Sequence, residues 1–433
     1  MVFSLMAVLT FAAENAPLRV EWSNFGSARD WRVWSARDEI RPRAFVDHTV
    51  WRSAPDSLAI YGGGNPSAYG GWERTVSPVR PGQWYRLTVY YRTAAVQAEN
   101  WQVVARLDWQ TSGGKRAGQP DYAYRARREG AWTRLVLEAP APPDAAAATV
   151  QLYLANSSSG SVWWDDLTLE EIPAPAPRKI QVAAVNLRPS STGAPEISVE
   201  RFLDTVEREV PQGVDVILLP EGITVIGTGK TYADVAEAVP GPTTEKLAAM
   251  ARKKRSWIVA GIYEREGHTF YNTSLLVDRQ GRLAGRYRKV YLPREEVERG
   301  LTPGDDYPVF HTDFGTVGMM ICYDVFFPDP ARALAARGAE LILMPIWGGD
   351  EVLAKARAIE NKVFLVSSGY DFPTYVMDPD GEILALAREQ GQVALAEIDL
   401  SKRYWCPHLG DMKARRAKEW RRDVKMPFPA LDQ

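Results

Sequence analysis

Gly318-Met319-Met320-Ile321-Cys322-Tyr323-Asp324-Val325-Phe326-Phe327-Pro328-Asp329 runs from an apolar strand through a cysteine into a turn. A helix with the spacing of Pro330 to Arg337 follows. A strand that ends at a nucleophile and turns into a helix exposes the side chain at the elbow. It also aims the next backbone N–H groups, such as that of Tyr323, at a developing oxyanion. A cysteine is equally a small buried hydrophobe, so the elbow needs partners before it carries chemistry.

Around the elbow, buried strands alternate with helices. Ile180 to Val185, Val214 to Leu219, Trp257 to Ile262, Gly315 to Ile321, Leu341 to Met344, Val363 to Val366 and Val393 to Ile398 read as strands. Ile197 to Val210, Thr243 to Lys254 and Glu351 to Glu360 have helical spacing. Hairpins interrupt the series, one turning at Gln280-Gly281 and one at Asp380-Gly381. Helices between buried strands predict a layered α/β domain. The hairpins predict a mixed sheet, or two sheets, rather than a plain doubly wound one.

Two further motifs stand at strand ends. In Leu218-Leu219-Pro220-Glu221-Gly222 a carboxylate follows a buried apolar strand, beside residues that shape a turn. A half-buried carboxylate there suits a general base, although an exposed loop glutamate fits the same letters. In Tyr287-Arg288-Lys289-Val290-Tyr291-Leu292-Pro293 a lysine sits within an apolar strand. If Lys289 points inward it needs a carboxylate partner, and if it points outward it is only a solvated strand residue. Amide hydrolysis requires a nucleophile, a base and a cation for the tetrahedral oxyanion. His48, His268, His311 and His408 stand in no recognisable setting beside a cysteine, so a glutamate base fills that place.

Residues 178–400 resemble the nitrilase, or carbon–nitrogen hydrolase, superfamily. The resemblance rests on Leu219-Pro220-Glu221, Tyr287 to Leu292, Ile321-Cys322-Tyr323-Asp324 and Arg357-Ala358-Ile359-Glu360-Asn361, in that order. It implies an αββα sandwich, frequent homo-oligomers, and no metal or organic cofactor. It also implies that Glu221 deprotonates Cys322, that Lys289 steadies the tetrahedral species and lowers the thiol pKa, and that a thioester forms on Cys322. Many members add a second glutamate. Glu295, Glu296 and Glu298 compete for that place, and the distance from the lysine favours Glu296. Tyr323, Asp324 and Trp347 are the expected substrate contacts. Tyr291 stands where the superfamily usually has histidine. Tyr323-Asp324 matches amidase-like branches, so an amide is preferred over a nitrile. An N-carbamoyl substrate, acyl transfer to an amine, and a carbohydrate-binding protein with a degenerate hydrolase half are the alternatives.

Composition shifts near residue 172. Ile172-Pro173-Ala174-Pro175-Ala176-Pro177 is stiff and extended, and reads as a linker over 173–178 between a domain at 18–172 and one at 179–433. Before it, Trp84 to Tyr91, Trp101 to Leu107, Thr133 to Leu137 and Ala148 to Leu154 are short β-rich runs parted by Gly, Pro, Asn and Ser clusters. They predict an all-β sandwich. Gly160 to Leu169 and Pro81 to Tyr85 resemble parts of carbohydrate-binding-module-like jelly rolls. Eleven of the fifteen tryptophans precede the linker. They can stack on a glycan, but aromatic rings more often pack a core, and packing is the preferred reading.

The formal net charge of -2 supplies no basic face for nucleic acid. The run Arg252 to Arg255 reads as the last turn of a helix. With two cysteines, few histidines and no CxxC or HExxH, a zinc site is not expected. A Cys322–Cys406 disulfide is the competing use of the pair, disfavoured by the elbow. Met1 to Ala13, within a leader expected at 1–17, is apolar and ends in small residues, like a signal peptide without its basic start. It predicts a secreted or periplasmic protein, with a cytoplasmic one as the alternative. No stretch reaches the roughly 20 apolar residues of a membrane span.

Overall fold

The computed structural model describes residues 17–26, 28–421 and 423–424. The signal-peptide expectation at Met1 to Ala13 lies outside them. The chain divides into two compact units, one of residues up to Ala176 together with Trp405 onward, the other Pro177–Tyr404. The second domain expected at 179–433 therefore closes at Tyr404. Trp405–Cys406 pairs with Gly410–Asp411, and the helix Met412–Glu419 follows. That helix belongs to the first unit because Ala414 packs with Val104, Tyr122 and Tyr153, and Lys418 Nζ donates to the Val103 carbonyl at 2.7 Å. Among the described residues no helix is long and apolar enough to cross a membrane.

The first unit is built on two antiparallel sheets of seven and five strands. In the strand Trp84–Ala94 the residues Tyr85, Leu87, Val89 and Tyr91 are buried while their neighbours are more open, the period of two that one covered face demands. Trp72, Trp109, Leu152 and Trp164 join these in a single core. Trp22, Trp31, Trp72, Trp109, Trp132 and Trp164 are all buried, so much of the tryptophan enrichment is packing. Residues 173–178 are exposed and carry no regular structure.

The second unit holds two six-stranded sheets. In the first, Lys179–Val185, Val216–Leu218 and Trp257–Glu266 run parallel, Thr269–Val277 and Val393–Asp399 flank them antiparallel, and Leu283–Arg288 pairs antiparallel with Thr269–Val277. In the second, Thr316–Met319, Leu341–Pro345 and Phe364–Ser368 run parallel between Val309–His311 on one side and Thr374–Met377 and Ile383–Ala387 on the other. Val182, Ala184, Val216 and Leu218 face Val317, Met319, Leu341 and Leu343 in one core. The intervening Ala183, Val185 and Ile217 pack under the helices Pro195–Glu209 and Pro242–Lys254. Met320, Ile342 and Met344 pack under Asp329–Ala336 and Glu351–Asn361. The layers run helix, sheet, sheet, helix. Because both strand faces are covered, the central strands are continuously apolar rather than alternating.

One boundary differs from expectation. The strand that leads to Lys289 ends at Arg288, so the lysine lies just beyond the sheet.

Replacing Trp109 by alanine tests the packing reading of the first unit. Trp109 is fully buried against Tyr85 and donates Nε1–H to Asp121 at 2.8 Å. The expected loss is about 3–5 kcal/mol, read by chemical denaturation. A loss below about 1 kcal/mol would show that the ring is not a core element.

Candidate active site

The carboxyl ends of the parallel strands in both sheets supply the site. Glu221 follows Val216–Leu218, Cys322 follows Thr316–Met319, and Trp347 follows Leu341–Pro345. Lys289 enters from the end of the hairpin strand Leu283–Arg288. The Glu221 turn fits against its neighbour because residue 261 is glycine. A Cβ there would stand 2.7 Å from the Glu221 Cα.

Lys289 is fully buried and lies between two carboxylates. Its Nζ is 3.1 Å from Glu221 Oε1 and 3.0 Å from Glu296 Oε2. Burial opposes its charge, but Glu221, Cys322 and Glu296 outweigh that and hold the ammonium well above its ordinary pKa. Glu221 and Glu296 are themselves buried. Burial pushes Glu296 up to about 7, with Lys289 opposing and the charge of Glu221 adding to the rise. Of the three candidates for the second glutamate, Glu296 is the one the structure brings in. Glu295 and Glu298 are exposed and pair with Arg299 and Arg294 on the same short helical segment.

Cys322 adopts a left-handed backbone, φ +45°. A non-glycine residue there costs roughly 1–3 kcal/mol, so the surroundings must over-determine it. Asp324 does much of this. Its Oδ2 accepts from the Ile321 N–H at 2.8 Å and from the Tyr287 hydroxyl at 2.7 Å, and its Oδ1 accepts from the Tyr291 N–H at 3.0 Å. Arg357 adds a bond from Nε to the Val325 carbonyl at 3.1 Å. Asp324 was expected among the substrate contacts. Fully buried and engaged at both oxygens, it braces the elbow instead. Burial raises it to about 6 against those three hydrogen bonds.

The thiol of Cys322 donates to the Gly348 carbonyl at 3.3 Å, and Cys322 and Cys406 are both free cysteines. Burial and the charge of Glu221 push the thiol up to about 12, with Lys289 pulling the other way. Lys289 pulls the thiol down as expected, and burial and the charge of Glu221 outweigh it. Cys322 thus presents a neutral thiol beside a carboxylate, an arrangement that suits proton transfer to a base rather than a standing thiolate. Trp347 is half-buried next to Gly348, edge-on to Tyr370 at 4.9 Å, with the Arg188 guanidinium 5.9 Å from each ring. Tyr323 is half-buried and contacts Phe326 and Phe327, and Tyr291 stacks on Phe327 at 3.8 Å. Among the described residues no cluster of His, Cys, Asp and Glu has a metal-holding arrangement.

Residues 181–405 match the model of the carbon-nitrogen hydrolase family. The chain belongs to that family. It is 33% identical over 245 residues to a nitrilase of Pyrococcus abyssi, covering 51% of this chain and 90% of that one. It is 29% identical over 248 residues to the omega-amidase of Homo sapiens, covering 51% and 89%. It is 33% identical over 227 residues to a deaminated glutathione amidase of Synechocystis, covering 45% and 84%. The helix, sheet, sheet, helix unit is thus the carbon–nitrogen hydrolase domain.

Three further residues shape the candidate site, and the sequence assigns them no role. The Tyr287 hydroxyl holds Asp324. Tyr370 donates its hydroxyl to the Glu221 carbonyl at 2.9 Å. Asn272 bonds both glutamates. Its signal was an asparagine in mid-strand, where that residue is depleted.

Two expectations follow. Lys289→Met leaves two carboxylates buried without their cation, and a loss of about 3–5 kcal/mol is expected at neutral pH. Lys289 holds the Glu296 carboxyl down, so without it Glu296 takes a proton at a higher pH, and the deficit shrinks as pH falls toward about 7 and levels off below it. A pH-independent deficit in urea melts would contradict the ion-pair account. In Glu221→Gln the thiol loses a neighbouring anion, so its titration midpoint moves down from about 12. Thiolate ultraviolet absorbance, referenced to a Cys322→Ala protein, reads this, and an unmoved or raised midpoint would show that Glu221 does not face the thiol.

Proposed function

We propose that this chain hydrolyses the C–N bond of a small carboxamide through an acyl thioester on Cys322. The observation that carries the reading is a half-buried thiol gathered with a buried carboxylate and a buried ammonium from three separate strand ends, the thiol raised by the carboxylate and the ammonium paired with it. Omega-amidase and deaminated glutathione amidase relatives support an amide over a nitrile.

Glu221 accepts the thiol proton as Sγ attacks the carbonyl carbon. The C=O π electrons move to oxygen, and the oxyanion is met by Lys289 and the backbone N–H after the elbow. The proton passes from Glu221 to the nitrogen, the C–N bond breaks, and ammonia or an amine leaves. Glu221 then takes a proton from water, whose oxygen attacks the thioester. The C–S bond breaks, the carboxylic acid departs, and the thiol recovers its proton. Lys289, already charged and desolvated, needs no reorganisation during these steps. That is where such a group is most effective.

Under this reading the first unit is a jelly-roll module of carbohydrate-binding type, which its two antiparallel sheets around one core support. Glycan-array binding by the full chain tests it, and absence of binding to every glycan would leave packing as the module's role.

Cys322→Ala is expected to lower ammonia release from a carboxamide panel by at least about 10³-fold, with thermal melting unchanged. Wild-type turnover in that variant would overturn the mechanism. A panel that also holds N-carbamoyl compounds and nitriles decides the substrate class, and faster release from nitriles would overturn the amide preference.

A further inference from the structure

The two carboxylates of the site share one ammonium, and charge alone does not say how they are oriented. Lys289 Nζ lies 3.1 Å from Glu221 Oε1, 3.1 Å from Glu296 Oε1 and 3.0 Å from Glu296 Oε2. A flexible ammonium with rotatable donors can be met by several carboxylate rotamers. Two anions side by side in a dry site also repel.

Asn272 resolves this. It stands in the middle of Thr269–Val277, opposite Tyr263 on the neighbouring strand. It is fully buried, so its side chain has little freedom. Its Nδ2 donates to Glu221 Oε1 at 2.6 Å and to Glu296 Oε1 at 2.7 Å. Both amide hydrogens are used, one on each carboxylate. The reverse orientation would turn the amide oxygen onto two anions, so the assignment of N and O follows from chemistry. Its Oδ1 has no hydrogen-bond partner among the described residues. Leaving an amide oxygen unmet is unfavourable, and the two charge-assisted bonds on the other side offset it. The backbone of the same residue anchors that of the lysine, because the Asn272 carbonyl accepts from the Lys289 backbone N–H at 2.9 Å. Asn272 thus touches all three charged members of the site.

The consequence concerns which oxygen does the chemistry. Oε1 of Glu221 already accepts from Asn272 and from Lys289. Oε2 of Glu221 is buried and has no hydrogen-bond partner among the described residues. We propose that Asn272 is the positioning residue of this site: its amide and carbonyl fix Glu221, Glu296 and Lys289 together, leaving Glu221 Oε2 as the oxygen that receives the Cys322 proton. Asn272 itself touches neither the thiol nor substrate in this account. The inference rests on the cysteine mechanism proposed above.

The test uses the full chain with Asn272→Ala and Asn272→Asp, and Asn272→Ser should the alanine variant fail to fold. Loss of one hydrogen bond to a charged group corresponds to about 10- to 100-fold. Asn272→Ala is expected to lower kcat by about that factor with KM little changed. Asn272→Asp separates positioning from packing. Protonated, its carboxyl can donate to one glutamate, and ionised, it repels both. Its kcat relative to Asn272→Ala should therefore fall as pH rises from about 5 to about 8. Wild-type kcat in both variants would overturn the proposal. So would a loss of equal size in both at every pH, which is what mere packing produces. If Cys322→Ala kept turnover, the cysteine mechanism itself would fail. If Cys322→Ala were dead and the Asn272 variants normal, only the positioning role would fail.

Discussion

Lys289 is an ammonium sealed from water between two carboxylates, and the rest of the site is arranged to keep it there. Removing one partner from a buried ion pair is strongly destabilising, whereas the intact pair contributes little net stability. Such a group is poor value as a staple and good value as a fixed charge. A strand end brings Glu221 to it and the short helix Arg294–Glu298 brings Glu296.

The same burial sets the state of the nucleophile. The thiol is pushed up by desolvation and by the nearby glutamate, and Lys289 only partly offsets this. A standing thiolate would react with any electrophile that entered. In the proposed mechanism, a neutral thiol beside a base is armed only when an acyl carbon is in place to receive it. The elbow that presents it is strained at Cys322 and braced by Asp324, Tyr287 and Arg357, so the strain is held by groups on several different elements.

Much of this architecture was legible in the letters. Continuous apolar runs such as Val214 to Leu219 and Leu341 to Met344 gave strands buried on both faces, and hairpins at Gln280-Gly281 and Asp380-Gly381 gave mixed sheets. Glu221, Lys289 and Cys322 could be singled out because each breaks an apolar pattern at a strand end. The bracing role of Asp324 was not legible, because two of its three donors, Tyr287 and Tyr291, are distant in sequence. Asn272 left only a faint signal, an asparagine in mid-strand, because its two bonds go to residues 51 and 24 positions away. The closing segment was assigned to the wrong unit, since nothing local to Met412–Glu419 says which surface Ala414 will meet. Of the eleven tryptophans before the linker, six are buried, and the letters alone do not separate these from the more exposed ones.

The central claim is that Cys322 carries the acyl group. Acid-quenching the wild-type chain during turnover of a carboxamide, then measuring peptide masses, tests it most directly. The account predicts an acyl adduct on the peptide containing Cys322, released by hydroxylamine as a thioester is. An acyl group on another residue, or turnover that continues after Cys322 has been blocked by alkylation, would contradict it.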